Sequence, residues 1–187
     1  MIEITQEQIE RVNLILSGVP KAVPRAFYNV INRGLSSVRS ESNKEMTSVY
    51  TVNQSDLRKN QKISVKNATS GSLEGSVSFE GNVIPLMKFK VSPTEPRRKT
   101  VSVSVMKGEG TKRLNSAFVA NLGKYGVGVF ERLTSKRESS QQLFGPSVAH
   151  MMDNQNVLTK VEKTAQGVID RRVEQEIIRI LNGYGGK

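Results

Sequence analysis

The sequence predicts an α+β fold: an antiparallel or mixed β-sheet flanked by a long N-terminal helix and a long C-terminal helix. Apolar residues recur at three- and four-residue spacing up to Tyr50 and again beyond Ala149, and between these regions the spacing falls to two. At 187 residues the chain is long enough to bury a real core, and one domain spanning residues 1–187 is expected. With 36% apolar and 24% charged residues, it carries less apolar material than an average globular protein, as expected either of much exposed polar surface or of surface buried only on assembly.

The elements follow in order. Ile9, Val12, Leu14, Ile15 and Leu16 form a short helical pattern within 1–18, with Thr5 as its cap. Gly18 and Pro20 interrupt it. A helical region over 19–60 then places Pro24 in a first turn, where its missing N–H costs nothing, and carries Phe27, Val30, Ile31, Leu35 and Val38 towards Tyr50. Ser55 is the expected cap of one more short helix.

The β region covers 61–133. Ile63 and Val65, then Leu73, Val77 and Phe79, alternate with polar residues around an Ala-Thr-Ser-Gly turn, which predicts a hairpin. Val101, Val103 and Val105 share one face of a second strand region. Between them, the three prolines at 85, 93 and 96 argue against a central strand and predict an extended, exposed, basic loop over 82–100. Ala117-Phe-Val-Ala and Val127-Gly-Val-Phe-Glu-Arg read as a further hairpin around a glycine-containing turn. The C-terminal helix is placed at 146–182, with its longest pattern from Ala149 to Leu181 and a stripe of Val161, Ala165, Val168, Ile169, Val173, Ile177 and Ile180. That stripe suits covering the subunit's own sheet, since left open it would be an association liability, and packing against a neighbour is the alternative.

Composition excludes several chemistries. Without cysteine there is no disulfide, thiolate metal site or thiol nucleophile. His150 is the single histidine and has no G-x-S-x-G elbow beside it, so it reads as a structural or surface residue. The glycines match neither a phosphate-binding loop nor a dinucleotide fingerprint, and the carboxylates are few and scattered. No enzyme activity, metal or cofactor is expected. The N-terminus lacks a basic-then-apolar leader and no apolar run is long enough to span a bilayer, so a cytosolic, soluble origin without membrane contact is expected.

The formal charge of +11 favours polyanionic partners, and with no tryptophan and 5% aromatics a duplex backbone suits it better than stacked single-stranded bases. From Lys88 to Arg113 eight basic residues face two glutamates, a local net of +6. Lys88, Lys90, Arg97, Arg98, Lys99 and Lys107 are therefore the candidate DNA-facing residues, in non-specific contact with phosphates. The same charges would also protect a solvated strand edge from aggregation. Phe144, Gly145 and Pro146 form an expected structural corner, because Gly-Pro turns extended chain abruptly towards the last helix.

The ordered strings Val83-Ile-Pro-Leu-Met-Lys-Phe, Ala117-Phe-Val-Ala, Gly126-Val-Gly-Val-Phe-Glu-Arg and Gln141-Gln-Leu-Phe-Gly-Pro-Ser-Val resemble the signature of the phage minor tail protein Z family. The helix carrying Ala22, Ala26 and Gly34 is similar to that family's amino-terminal region, and the resemblance runs from about Val19 to Leu181. The extra helix before Pro20 and the basic strand region depart from it. The resemblance implies a non-enzymatic tail-completion protein, related to tail-terminator and neck proteins, assembled in the bacterial host cytoplasm. In the virion it would form a homo-oligomeric ring, favoured as a hexamer, at the head-proximal end of the tail, with tail-tube and neck or terminator proteins as partners. The alternative from another class is a free-standing basic protein that binds nucleic acid without regard to sequence.

Overall fold

The computed structural model describes residues 4–19, 21–96, 100–123, 126–134 and 139–183. Helices at both ends of the chain and antiparallel strands between them confirm the α+β class. The chain divides into two compact units, each built from non-contiguous segments: Met1–Ser42, Ile63–Ser78 and Leu158–Lys187 in one, Asn43–Lys62 and Phe79–Val157 in the other.

The first unit is a helical bundle. Helix α1 (Gln6–Leu16) opens with a capping box in which Gln8 N–H donates to Thr5 Oγ1 at 3.3 Å and Thr5 N–H donates to Gln8 Oε1 at 3.0 Å. Helix α2 (Ala22–Val49) is 28 residues long, one more than the last helix, α5 (Gln155–Leu181). Val12 and Leu16 of α1, Ala22, Ala26, Phe27 and Val30 of α2, and Ile169, Val173, Ile177 and Ile180 of α5 form one buried cluster. The C-terminal part of the last helix's stripe, from Ile169 to Ile180, is thus covered by two other helices rather than by a sheet. Small residues on α2 permit this: a Cβ at Gly34 would lie 2.9 Å from Ile169 Cδ1.

Polar pairs at the rim fix the helix directions. Gln8 donates to Asp170 at 3.1 Å and Arg11 pairs with Glu174 at 2.7 Å, so α1 and α5 run parallel. Asn29 donates to Glu176 at 3.0 Å, and with Gly34 against Ile169 this sets α2 antiparallel to α5. Asn32 also clasps the loop after β1 (Gln61–Lys66), donating to Ala68 O at 3.0 Å and accepting from Ala68 N–H at 2.8 Å. Strands β1 and β2 (Ser76–Gly81) pair with each other. Leu73 lies outside both and is exposed.

In the second unit, Asn53 rather than Ser55 caps α3 (Gln54–Lys59), accepting from Asp56 N–H at 2.8 Å. Within the segment expected as an exposed excursion, residues 83–92 are instead ordered and half-buried, and Arg97, Arg98 and Lys99 lie outside the described residues. The ordered stretch contains β3 (Val83–Pro85), a 3-10 turn at Leu86–Lys88 and β4 (Lys90–Ser92), with Ile84, Leu86, Phe89 and Val91 buried. Pro85 is tolerated because β3 is a short strand that, among the described residues, pairs only with β10 (Phe144–Ser147), through an irregular register, and Pro93 and Pro96 follow the end of β4 outside any strand.

Strand β4 pairs antiparallel with β5 (Val101–Ser104), which pairs with β6 (Lys112–Leu114). The hairpin of β7 (Ala117–Asn121) and β8 (Val127–Arg132) forms as expected and gains a third strand, β9 (Ser140–Gln142). Leu143 N–H then donates to Val129 O at 2.8 Å while its carbonyl accepts from Leu86 N–H at 2.9 Å. The last helical region begins at Val148, not at residue 146, and is broken. Ser147 caps α4 (Val148–Met152), and after Asp153 the Asn154 side chain accepts Asn156 N–H at 3.0 Å, which starts α5 afresh.

Candidate nucleic-acid and subunit interfaces

The β4-β5-β6 sheet has two unlike faces. Residues directly opposed in an antiparallel pair project to the same side. The register puts Val91 opposite Val103 and Val101 opposite Leu114, and the valines are buried. The other side carries Ser92, Ser102 and Arg113 in one row across the sheet and Lys90 with Ser104 in the next. Lys90, Ser92 and Arg113 are exposed and the two central serines half-buried. No carboxylate, aliphatic or aromatic side chain lies in these two rows.

Thr51 anchors the edge of this face. Its hydroxyl donates to Ser104 O at 2.7 Å and accepts from Lys90 N–H at 3.0 Å, so the backbone of Lys90 is held while its ammonium is left outside. Among the described residues neither Lys90 nor Arg113 has an ion-pair partner.

The six expected DNA-facing residues therefore have different surroundings. Lys88 pairs at 3.2 Å with the largely buried carboxylate of Asp56, which also accepts from Asn53 Nδ2 at 2.7 Å. The Lys107 ammonium donates to Thr47 O at 2.7 Å and its N–H to Val49 O at 2.7 Å, so it satisfies the carbonyl end of α2, where the helix dipole favours a cation. Only Lys90 stands on the open polar face, and Arg97, Arg98 and Lys99 lie outside the described residues. Arg113 was counted in the local charge but not singled out. The signal that finds it is the β5–β6 register, which a charge count does not contain.

Of the corner residues, Phe144 is partly exposed opposite Pro85, and Gly145 and Pro146 continue β10 towards the Ser147 cap. Gly145 sits against the buried ring of Phe89: a Cβ there would lie 2.8 Å from Cζ and closer still to Cε2. No positive φ is recorded at Gly145, so space rather than backbone conformation requires glycine. His150 is exposed on α4, its N–H donating to Ser147 Oγ at 3.2 Å.

The first unit leaves apolar side chains in solvent. Leu14 is 80% exposed, Ile178 57% and Leu181 56%. With Gln8 level with Asp170 and Arg11 with Glu174 on parallel helices, the next turn brings Leu14 and Ile15 level with Ile178. Four exposed apolar side chains thus lie on the last turns of α1 and α5.

Among the described residues no group of three His, Cys, Asp or Glu could hold a metal, and no helix is long and apolar enough to cross a membrane. Comparison with curated proteins and with solved structures gives no match. The sequence model of the family described as prophage minor tail protein Z (GPZ) matches residues 7–184, taking in the helical bundle, all four small sheets and the β10–α4 corner. The chain belongs to the prophage minor tail protein Z family, and it is a phage minor tail protein.

Proposed function

We propose that this minor tail protein closes into a homo-oligomeric ring, favoured as six copies, at the head-proximal end of the tail. There it completes the tail, contacts tail-tube and neck or terminator subunits, and borders the channel through which DNA passes. The observation that carries the reading is the family match over nearly the whole chain, so the family's role belongs to the complete fold and not to a grafted segment. The action is mechanical and electrostatic. A ring needs a heterologous interface that closes on itself. The exposed group of Leu14, Ile15, Ile178 and Leu181 supplies apolar surface for a second copy of the chain. A net charge of +11 favours DNA at the opening, without sequence preference.

Native mass spectrometry of the purified chain, alone and mixed with isolated tails, tests this. A closed ring, or binding confined to tail ends, is the expected result. A chain that stays monomeric and ignores tails overturns the reading. The second reading, a free-standing nucleic-acid-binding protein, is favoured by the open basic sheet face alone. It requires the monomer to bind DNA with strong salt dependence while leaving tails untouched.

A further inference from the structure

We propose that the open face of β4-β5-β6 is a contact surface for the phosphodiester backbone of duplex DNA, with Lys90 and Arg113 as its cations and Ser92 and Ser102 as neutral donors. The proposal deepens the DNA-bordering part of the reading above and rests on it. It also moves the contact from a basic loop to a defined sheet face. Two of the basic residues picked out by charge alone, Lys88 and Lys107, are occupied by Asp56 and by the end of α2. Lys90 and Arg113 are exposed and have no ion-pair partner among the described residues.

Geometry suits two phosphates. The two cations stand on the outer strands of a three-stranded sheet, one row apart. With strands about 4.8 Å apart and about 3.4 Å of rise per residue, their Cα atoms are about 12 Å from one another. That exceeds the Debye length of about 8 Å at physiological salt, so their mutual repulsion is largely screened and each can neutralise a separate phosphate. Between them Ser92 and Ser102 present hydroxyls, which with lysine and arginine are the usual donors to phosphate oxygens.

The chemistry of the face also selects among partners. Protein interfaces are anchored by aromatic side chains and arginine in a desolvated centre and are depleted in lysine and serine; Arg113 suits either kind of surface, but beside it stand one lysine and three serines, with no aromatic anchor in either row. Single strands need aromatic platforms for their bases, which the two rows likewise lack. A duplex backbone asks only for cations and hydroxyls at intervals.

The test uses the full chain and a short fluorescein-labelled duplex of arbitrary sequence, titrated by anisotropy between about 50 and 200 mM salt. The face variant is K90Q/R113Q. The charge-matched control, K163Q/R171Q, changes two exposed cations of α5. In the face variant the slope of log affinity against log salt becomes shallower by about 1.8, about 0.9 for each lost phosphate, and the control keeps the wild-type slope. S92A/S102A weakens binding but leaves the slope unchanged, because hydroxyls release no counterions.

A face variant with the wild-type slope overturns the proposal, as does an equal change in face variant and control, or a wild-type chain with no affinity for the duplex. If K90Q/R113Q binds the duplex normally but no longer associates with tails, the face is a protein contact and the proposal is again overturned. If the chain forms no ring but the slope changes as expected, the DNA face stands and only the assembly reading falls.

Discussion

Gly145→Ala adds a single methyl group at the point where β10 meets the ring of Phe89. The new Cβ would lie 2.8 Å from Cζ, 3.1 Å from Cδ2 and nearer still to Cε2. Phe89 is 5% exposed, so its ring cannot swing into solvent and must displace its neighbours. Overpacking of this kind costs about 1–3 kcal/mol, and alanine returns about 0.4–1 kcal/mol by restricting the unfolded chain. The net expectation is a loss of about 1–2 kcal/mol. With a slope of about 2 kcal/mol per molar urea, the denaturation midpoint falls by about 0.5–1 M.

Phe89→Leu provides the control, because it removes the ring atoms that the methyl group meets. In that background Gly145→Ala should be neutral or slightly stabilising, giving a coupling of about 1–3 kcal/mol between the two positions. If Gly145→Ala has the wild-type midpoint, or if its full cost persists beside Leu at 89, close packing is not the reason for glycine in the corner. Pro146→Ala should cost less, about 0.4–1 kcal/mol, since it only frees the unfolded chain.

Three further expectations concern other residues. Burial holds the Tyr50 phenol above its ordinary pKa, with Glu109 acting the same way and a hydrogen bond to Asn154 opposing them. The folded state therefore keeps this proton more tightly than the unfolded state. Stability from Tyr50 is fully present below about pH 10 and is lost as pH rises through the folded pKa, so Tyr50→Phe should flatten that alkaline decline in thermal melts. Lys88→Gln leaves the Asp56 carboxylate without its cation and should cost about 0.5–1 kcal/mol in urea denaturation with little change in duplex affinity; unchanged stability with weakened DNA binding would return Lys88 to the DNA surface. Leu14→Lys with Ile178→Lys should leave monomers in native mass spectra with little loss of thermal stability, because Leu14 is 80% and Ile178 57% exposed and the last turn of a helix favours a cation. A ring that survives both substitutions removes this helix end from the subunit interface.

Local signals alone were enough to read several parts of this protein. Thr5 marks the cap of α1, the short apolar runs Ala117-Phe-Val-Ala and Val127-Gly-Val-Phe around a glycine-containing turn mark the β7–β8 hairpin, and the spacing of Ile169, Val173, Ile177 and Ile180 marks the buried stripe of α5. The ordered strings around Val83, Ala117, Gly126 and Gln141 carried the family as well. These depend on neighbours within a few residues or on the order of short segments, which the chain records directly.

Whatever depended on partners distant in the chain was decided only in three dimensions. The run from Val83 to Ser92 looks proline-broken and basic, yet Ile84 and Phe89 are buried because β10 and β5 come alongside it. Asn154 interrupts a continuous helical pattern because its side chain restarts the helix. A periodic stripe announces that it will be covered but not by what, and here α1 and α2 cover α5 from Ile169 to Ile180 where a sheet was the expected cover. Charge behaves in the same way. Lys88, Lys90, Lys107 and Arg113 are equivalent in a count along the sequence, but an ion pair, a helix end and a strand register make them different, because a cation's availability depends on which acceptors the fold brings within reach.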